Sequence, residues 1–123
     1  MTQLIGREEL RAGLDAGTIT VVDALPESHY HQQHLPGALN LVADDVDARA
    51  AQLLPDKDAP IVTYSSNPAC ANSGQVASRL ERLGYTHVRK YADGIQDWGE
   101  AGQPTESGSP ATVPPWPGRP TRR

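Results

Sequence analysis

Ile61-Val-Thr-Tyr-Ser65-Ser-Asn-Pro-Ala-Cys70-Ala-Asn-Ser73 reads as an apolar strand that runs into a small, polar loop and then opens a helix. Such a junction gathers backbone N–H groups around one point. Those donors, with the positive end of the helix dipole, stabilise an anion placed there. The single cysteine of the chain, Cys70, lies inside this loop. A thiol beside a helix N-terminus has a lowered pKa and carries more reactive thiolate at neutral pH. The same residue also reads as a small thiol that merely packs. From the loop alone both readings stand.

Outward from the loop, helical and extended patterns alternate. Before it, Arg7 to Ala16 is helical, with Leu10 and Leu14 four apart and Gly17 as the stop. Thr20-Val-Val-Asp-Ala24 reads as a buried strand, Glu27 to Gln33 as a short helix after Pro26, and Ala38 to Leu41 as a second short strand behind the Pro36-Gly37 turn. Asp45 to Leu54 is helical, with an acidic first turn and Pro55 beyond its end. After the loop, a helix from Asn72 to Leu83 puts Val76, Leu80 and Leu83 on one face and stops at Gly84. His87 to Tyr91 is a further strand, and a last helix from Asp93 ends near Ala101-Gly102, with Ile95 and Trp98 turned to the core. This order predicts an α/β domain with a mostly parallel sheet covered by helices on both faces. In such a fold, ligands sit at the carboxyl ends of the strands, where the Ser65 to Cys70 loop falls.

The chain has 123 residues, enough for one core. Eleven Lys and Arg against fifteen Asp and Glu give a formal charge of −4. No basic field exists to attract nucleic acid over the whole surface. No run approaches the length of a membrane span, and the N-terminus lacks a charged segment followed by a long apolar one. The expectation is a cytoplasmic protein without nucleic-acid or membrane partners. One cysteine allows no internal disulfide, which agrees with a reducing compartment. Residues 1–104 are expected to form the domain. From 105 to 123 the composition turns Pro-rich, with Pro110, Pro114, Pro115, Pro117 and Pro120, and a disordered tail is the expectation. Trp116 and the closing Arg119, Arg122 and Arg123 give that tail a means of touching a partner.

Several separated segments together resemble the rhodanese-like sulfurtransferase domain. They are Val21-Val-Asp-Ala24, His34-Leu-Pro-Gly-Ala-Leu-Asn40, Pro60-Ile-Val-Thr-Tyr64 with its loop, Arg82-Leu-Gly-Tyr85, Asp93-Gly-Ile-Gln-Asp-Trp98 and Ala101-Gly-Gln-Pro104. The resemblance covers residues 3 to 106 or so and implies a rhodanese-like fold. It also implies an enzyme in which a cysteine directly after the strand takes the outer sulfur of thiosulfate as a persulfide. That sulfur then passes to cyanide or a thiol, whether small or on a protein, and the loop N–H groups hold the sulfur anion. The family position is occupied here by Ser65, whose hydroxyl cannot replace a thiolate because an alkoxide does not form near neutral pH. The loop is also about two residues longer than the common version, as in relatives with a second cysteine at the place of Cys70. Leu25 and His29 stand where many relatives have an arginine and a glutamate, so the ion pair that orients the first crossover in those relatives is absent or replaced.

Three readings of the site follow. In one, the natural residue at 65 is cysteine, Ser65 is a substitution, and Cys70 is a relay thiol. In another, Cys70 is itself the nucleophile. In the third, the fold binds an oxyanion or a partner, or runs another small-molecule reaction, and Cys70 is inert. In the first two, Ser65 (the family nucleophile position) and Cys70 are the candidate catalytic positions. Ser66, Asn67, Pro68, Ala69, Ala71, Asn72 and Ser73 form the walls of a pocket that fits a small anionic sulfur donor. No cofactor is called for. His29, His31 and His34 are dense in sequence but do not share one helical face, so no metal site is expected, and His34 is read as ordering its turn. Asp44, Asp45 and Asp47 read as helix-cap and dipole partners, Asp23 as a hydrogen-bonding anchor, and Trp98 as a core residue. Arg79, Arg82, Arg89 and Lys90 read as a modest basic rim, or simply as solvated faces.

Overall fold

The computed structural model describes residues 3–67 and 69–108. Its elements are β1 (Gln3–Leu4), α1 (Arg7–Ala16), β2 (Thr20–Asp23), α2 (Glu27–Gln32), β3 (Leu39–Asn40), a 3-10 turn (Ala43–Asp45), α3 (Val46–Leu53), β4 (Ile61–Tyr64), α4 (Asn72–Arg82), β5 (Val88–Tyr91) and α5 (Gly94–Glu100). The five strands form one sheet in the order β1-β5-β4-β2-β3, and every pairing is parallel. The α/β architecture expected from the alternating pattern is the one observed.

Alternation along the strands builds a core on each face. Val22, Ile61 and Val88 turn to one side, where Val46 and Ala50 of α3 and Val76, Ala77 and Leu80 of α4 cover them. Val21, Val62, Tyr64 and Tyr91 turn to the other, against Leu10 of α1, Tyr30 of α2 and Trp98 of α5. Trp98 is fully buried, meets Tyr91 edge to face at 6.2 Å, and donates its indole N–H to the Pro104 carbonyl at 2.7 Å. It anchors the core, as its spacing from Ile95 implies. All four residues of β4 are buried, which suits the central strand of a doubly covered sheet.

Two features depart from the sequence pattern. The edge strand β1 is too short and too exposed to carry a period. It forms because β5 offers free backbone partners, and Ile5 N–H then donates to the Lys90 carbonyl at 3.1 Å. The acidic cluster does not cap a helix through its side chains. Ala43–Asp45 instead make a 3-10 turn ahead of α3, and Asp44 lies 3.9 Å from Arg79.

The segment just after Pro104 is fastened to the domain. His34 and Glu106 exchange backbone hydrogen bonds at 2.8 and 2.7 Å, and the Glu106 carboxylate accepts from Gly37 N–H at 3.1 Å. The His34 ring donates to the Tyr30 carbonyl at 2.7 Å and stacks on the Tyr30 ring at 3.9 Å, which sets the end of α2 and the turn that follows. Residues 109–123, with Trp116 and the closing arginines, lie outside the described residues.

Candidate active site

The site begins with strand register. Asp23 pairs with Tyr64, and Tyr64 with Tyr91, so the carboxyl ends of β2, β4 and β5 finish level on one edge of the sheet. An open α/β sheet presents its ligand crevice on that edge. The loop from Ser65 to Ala71 occupies it, between the end of β4 and the start of α4.

Short-range hydrogen bonds curl the loop. The Asn67 side chain accepts from Ala69 N–H at 2.9 Å, and the Asn67 carbonyl accepts from Cys70 N–H at 3.0 Å. The chain therefore turns back, and Cys70 returns beside Ser65. The Ser65 hydroxyl lies 3.4 Å from the Cys70 carbonyl oxygen and 3.3 Å from Ser73 Oγ. Long-range bonds fix the outer side. Ile95 and Gln96 N–H, in the first turn of α5, donate to the Ser65 and Ser66 carbonyls at 2.9 Å each. Asn72 donates to the Ala24 carbonyl at 3.2 Å, and Thr63 donates to the Ser73 carbonyl at 3.0 Å.

Gly94 permits this clamp. A Cβ there would meet the Ser66 carbonyl at 2.6 Å and Asn67 N at 2.7 Å, and its φ of +73° lies in the region that side chains resist. Nothing in the sequence pattern assigns Gly94 to the loop. The only trace is its place in the Asp93-Gly94 segment of the family resemblance.

Ser65 and Cys70 differ in access. Ser65 is 2% exposed, whereas the Cys70 thiol is half-buried and free. Burial pushes the Cys70 thiol up. The Ser65 hydroxyl, the Asn72 N–H and both the N–H and hydroxyl of Ser66 push it down and prevail, so it ionises below the ordinary thiol range. No histidine or carboxylate is among the groups that set it. The loop thus supplies fixed donors to a sulfur anion and no proton-accepting side chain.

The expected walls are placed unevenly. Ser73 is buried, Ser66, Asn67 and Asn72 are half-buried, and Ala69 and Ala71 are exposed. Pro68 lies outside the described residues.

Asp23 borders the site from the end of β2. Its carboxylate accepts from Tyr64 OH at 2.7 Å and from Leu25 N–H at 2.8 Å, and Leu35 N–H donates to the same tyrosine oxygen at 3.0 Å. Burial drives the Asp23 carboxyl up to about 6, against the lowering effect of both donors. Its oxygens are thereby engaged in tying two crossover loops to the sheet. Among the described residues, no group of three or more His, Cys, Asp or Glu is arranged to hold a metal ion.

A parallel five-stranded sheet whose central strand runs into a curled, donor-rich loop is an architecture of the rhodanese-like type. The chain belongs to the rhodanese-like family, whose domain model matches residues 6–101. It is 36% identical over 76 residues to thiosulfate sulfurtransferase PspE of Escherichia coli, covering 62% of this chain and 70% of that protein. It is also 35% identical over 106 residues to the HTH-type transcriptional regulator Rv0324 of Mycobacterium tuberculosis, covering 86% of this chain but only 46% of the regulator. Among solved structures, the BH2092 protein of Bacillus halodurans superposes with a TM-score of 0.79 at 24% identity, over 86% of this chain and 77% of that one. An Escherichia coli rhodanese solved with anions superposes with a TM-score of 0.62 at 31% identity, over 73% of this chain and 99% of that one.

Proposed function

We propose that this domain carries sulfane sulfur as a persulfide on Cys70, taken from thiosulfate or a similar anionic donor and passed to a thiol or to cyanide. The observation that carries this reading is the half-exposed Cys70 thiol, held by Ser65, Ser66 and Asn72 donors that lower its pKa in spite of burial. In loading, the Cys70 thiolate attacks the outer sulfur of thiosulfate. A new S–S bond forms, the bond to the sulfonate sulfur breaks, and sulfite leaves with the electron pair. In unloading, an acceptor thiolate attacks the terminal sulfur, and the Cys70 thiolate is the leaving group.

Ser65 acts as a donor to the sulfur anion and not as a nucleophile, because its hydroxyl is buried and does not ionise near neutrality. The working unit is residues 1–104 together with the short segment around Glu106 that His34 and Gly37 fasten to it. A reducing, cytoplasmic setting fits a working thiol that has no second cysteine to pair with.

Incubation with thiosulfate followed by mass spectrometry is expected to add one sulfur atom to Cys70. Cyanide should release it as thiocyanate, and Cys70→Ala should abolish the gain. No sulfur gain at any pH from the acid to the alkaline side of the thiol titration would overturn the reading.

A second reading is favoured by one observation, the serine at the family's cysteine position. In it the loop holds an oxyanion without turnover. A thermal-shift series of Cys70→Ala with thiosulfate, sulfate, phosphate and arsenate separates the two: stabilisation without sulfur loading of the wild type supports retention.

A further inference from the structure

A cationic hollow adjoins the loop on its α4 side. It measures about 510 Å³, and its walls include Ala71, the residue next to Cys70, and Gly74, Arg79, Arg82 and Lys90. No carboxylate lines it. Three cations face one depression in a chain whose formal charge is −4.

Their pairing is unequal. Arg79 is held by the Ala43 carbonyl at 2.7 Å, with Asp44 at 3.9 Å. Among the described residues, the side chains of Arg82 and Lys90 have no hydrogen bond or ion pair, although Arg82 also borders an adjoining hollow with Asp47, and Lys90 lies across the first turn of α4 beside Gly74. Arg89, the fourth member of the basic rim read from sequence, is diverted to Glu9 at 2.7 Å and lies elsewhere. Glu81, although on α4, lines a different hollow with Asp58 and His87.

We infer that this hollow docks an acidic segment of a protein sulfur acceptor and brings the acceptor's thiol to Cys70. The inference rests on the sulfur-carrier reading of Cys70 and adds the class of acceptor to it. Extent and charge carry it. The hollow runs along α4 from Ala71 to Arg82, which at about 1.5 Å per residue is roughly 16 Å. That is several times the span of a small dianion and suits an extended peptide of alternating or clustered carboxylates. A groove lined by one sign of charge raises the encounter rate with the opposite sign and fixes orientation more than it adds affinity. Retaining two cationic side chains without a partner along a groove that begins next to Cys70, in an acidic protein, fits that use.

The test uses the full 123-residue chain, preloaded with thiosulfate and freed of excess donor, and three acceptors. These are a cysteine peptide flanked by Asp and Glu, the same peptide with Asn and Gln, and 2-mercaptoethanol. At low salt the acidic peptide is expected to unload Cys70 on the order of tenfold faster in the wild type than in Arg82→Glu/Lys90→Glu. The difference should shrink as salt rises, with the neutral acceptors unaffected by the substitutions. Binding of the labelled acidic peptide to Cys70→Ala, read by fluorescence anisotropy, should be lost in the same charge-reversed background.

Equal unloading and equal binding in wild type and variant overturn the docking site. So does a loss that extends equally to 2-mercaptoethanol, which places the effect on the loop. Dependence of thiosulfate loading alone on the two cations overturns it as well, by making the hollow a donor subsite. A chain that takes no sulfur on Cys70 overturns the carrier reading, while the anisotropy measurement still decides whether the hollow binds acidic peptide.

Discussion

Ser65 and Cys70 meet in the loop that follows β4. Ser65 holds the buried position directly after β4 and contributes a hydroxyl. Cys70 contributes the ionisable sulfur from five residues further along, and the curl made by Asn67 brings the two together. That hydroxyl has one proton and three neighbours able to accept it, namely the Cys70 carbonyl, Ser73 Oγ and the Cys70 sulfur. When the sulfur is anionic, it is the strongest acceptor of the three. Ser65→Ala is therefore expected to raise the Cys70 pKa and to slow its alkylation by iodoacetamide at neutral pH. The rate difference should narrow above the thiol titration, where both proteins are fully ionised. A purely structural role for Ser65 would instead change stability and leave the pH profile of alkylation in place.

Elements explain why that pair is held so closely. The loop has little of its own beyond the Asn67 turn, and its outer carbonyls are satisfied by the first turn of α5. Gly94→Ala forces a methyl group into the Ser66 and Asn67 backbone and places it at a φ of +73°. It is expected to destabilise the fold by about 1–3 kcal/mol and to displace the loop. Chemical denaturation, together with the rate of Cys70 alkylation, checks both effects. Ser66→Ala, which leaves that backbone contact intact, is expected to alter alkylation with little loss of stability.

The elements themselves were legible because their patterns are strong. Val21-Val22 and Ile61-Val62 each put one residue on either face, and Val76 and Leu80 mark the buried side of α4. The clamp by α5 was not legible, because Ile95 and Gln96 reach the loop through backbone groups that no side-chain pattern reports. Nor was the split of the basic residues. Arg89 and Lys90 are neighbours on a strand and so face opposite ways, one to Glu9 and one to the α4 hollow.

At the scale of the whole molecule, stability is linked to pH through a buried carboxyl. The Asp23 pKa is raised, so folding favours the protonated form. Its contribution is fully present below about 4 and is lost as pH climbs through 6, on the order of 2–3 kcal/mol in all. His34 works in the opposite sense. Burial lowers its pKa, against the Tyr30 and Glu106 contributions, so its share is present above the ordinary histidine range and lost as pH falls below it. Asp23→Asn is expected to flatten the wild-type gain in stability between pH 7 and pH 4 and to leave the histidine-linked loss exposed. Urea titrations of both proteins across that range measure the difference, and parallel pH profiles would contradict it.

The order of strands in the sheet has a consequence for how the chain is made. No two neighbouring strands are joined by a hairpin, and Gln3 on β1 pairs with Arg89 on β5, 86 residues later in the chain. On the ribosome, β1 must wait until β5 has emerged, and β4 enters between strands made long before and just after it. The loop that holds Cys70 lies at the end of that central strand, and its outer carbonyls, on Ser65 and Ser66, meet the Ile95 and Gln96 N–H groups only after α5 has been made. The clamp on the loop is in this way among the last contacts of the domain to close on the nascent chain.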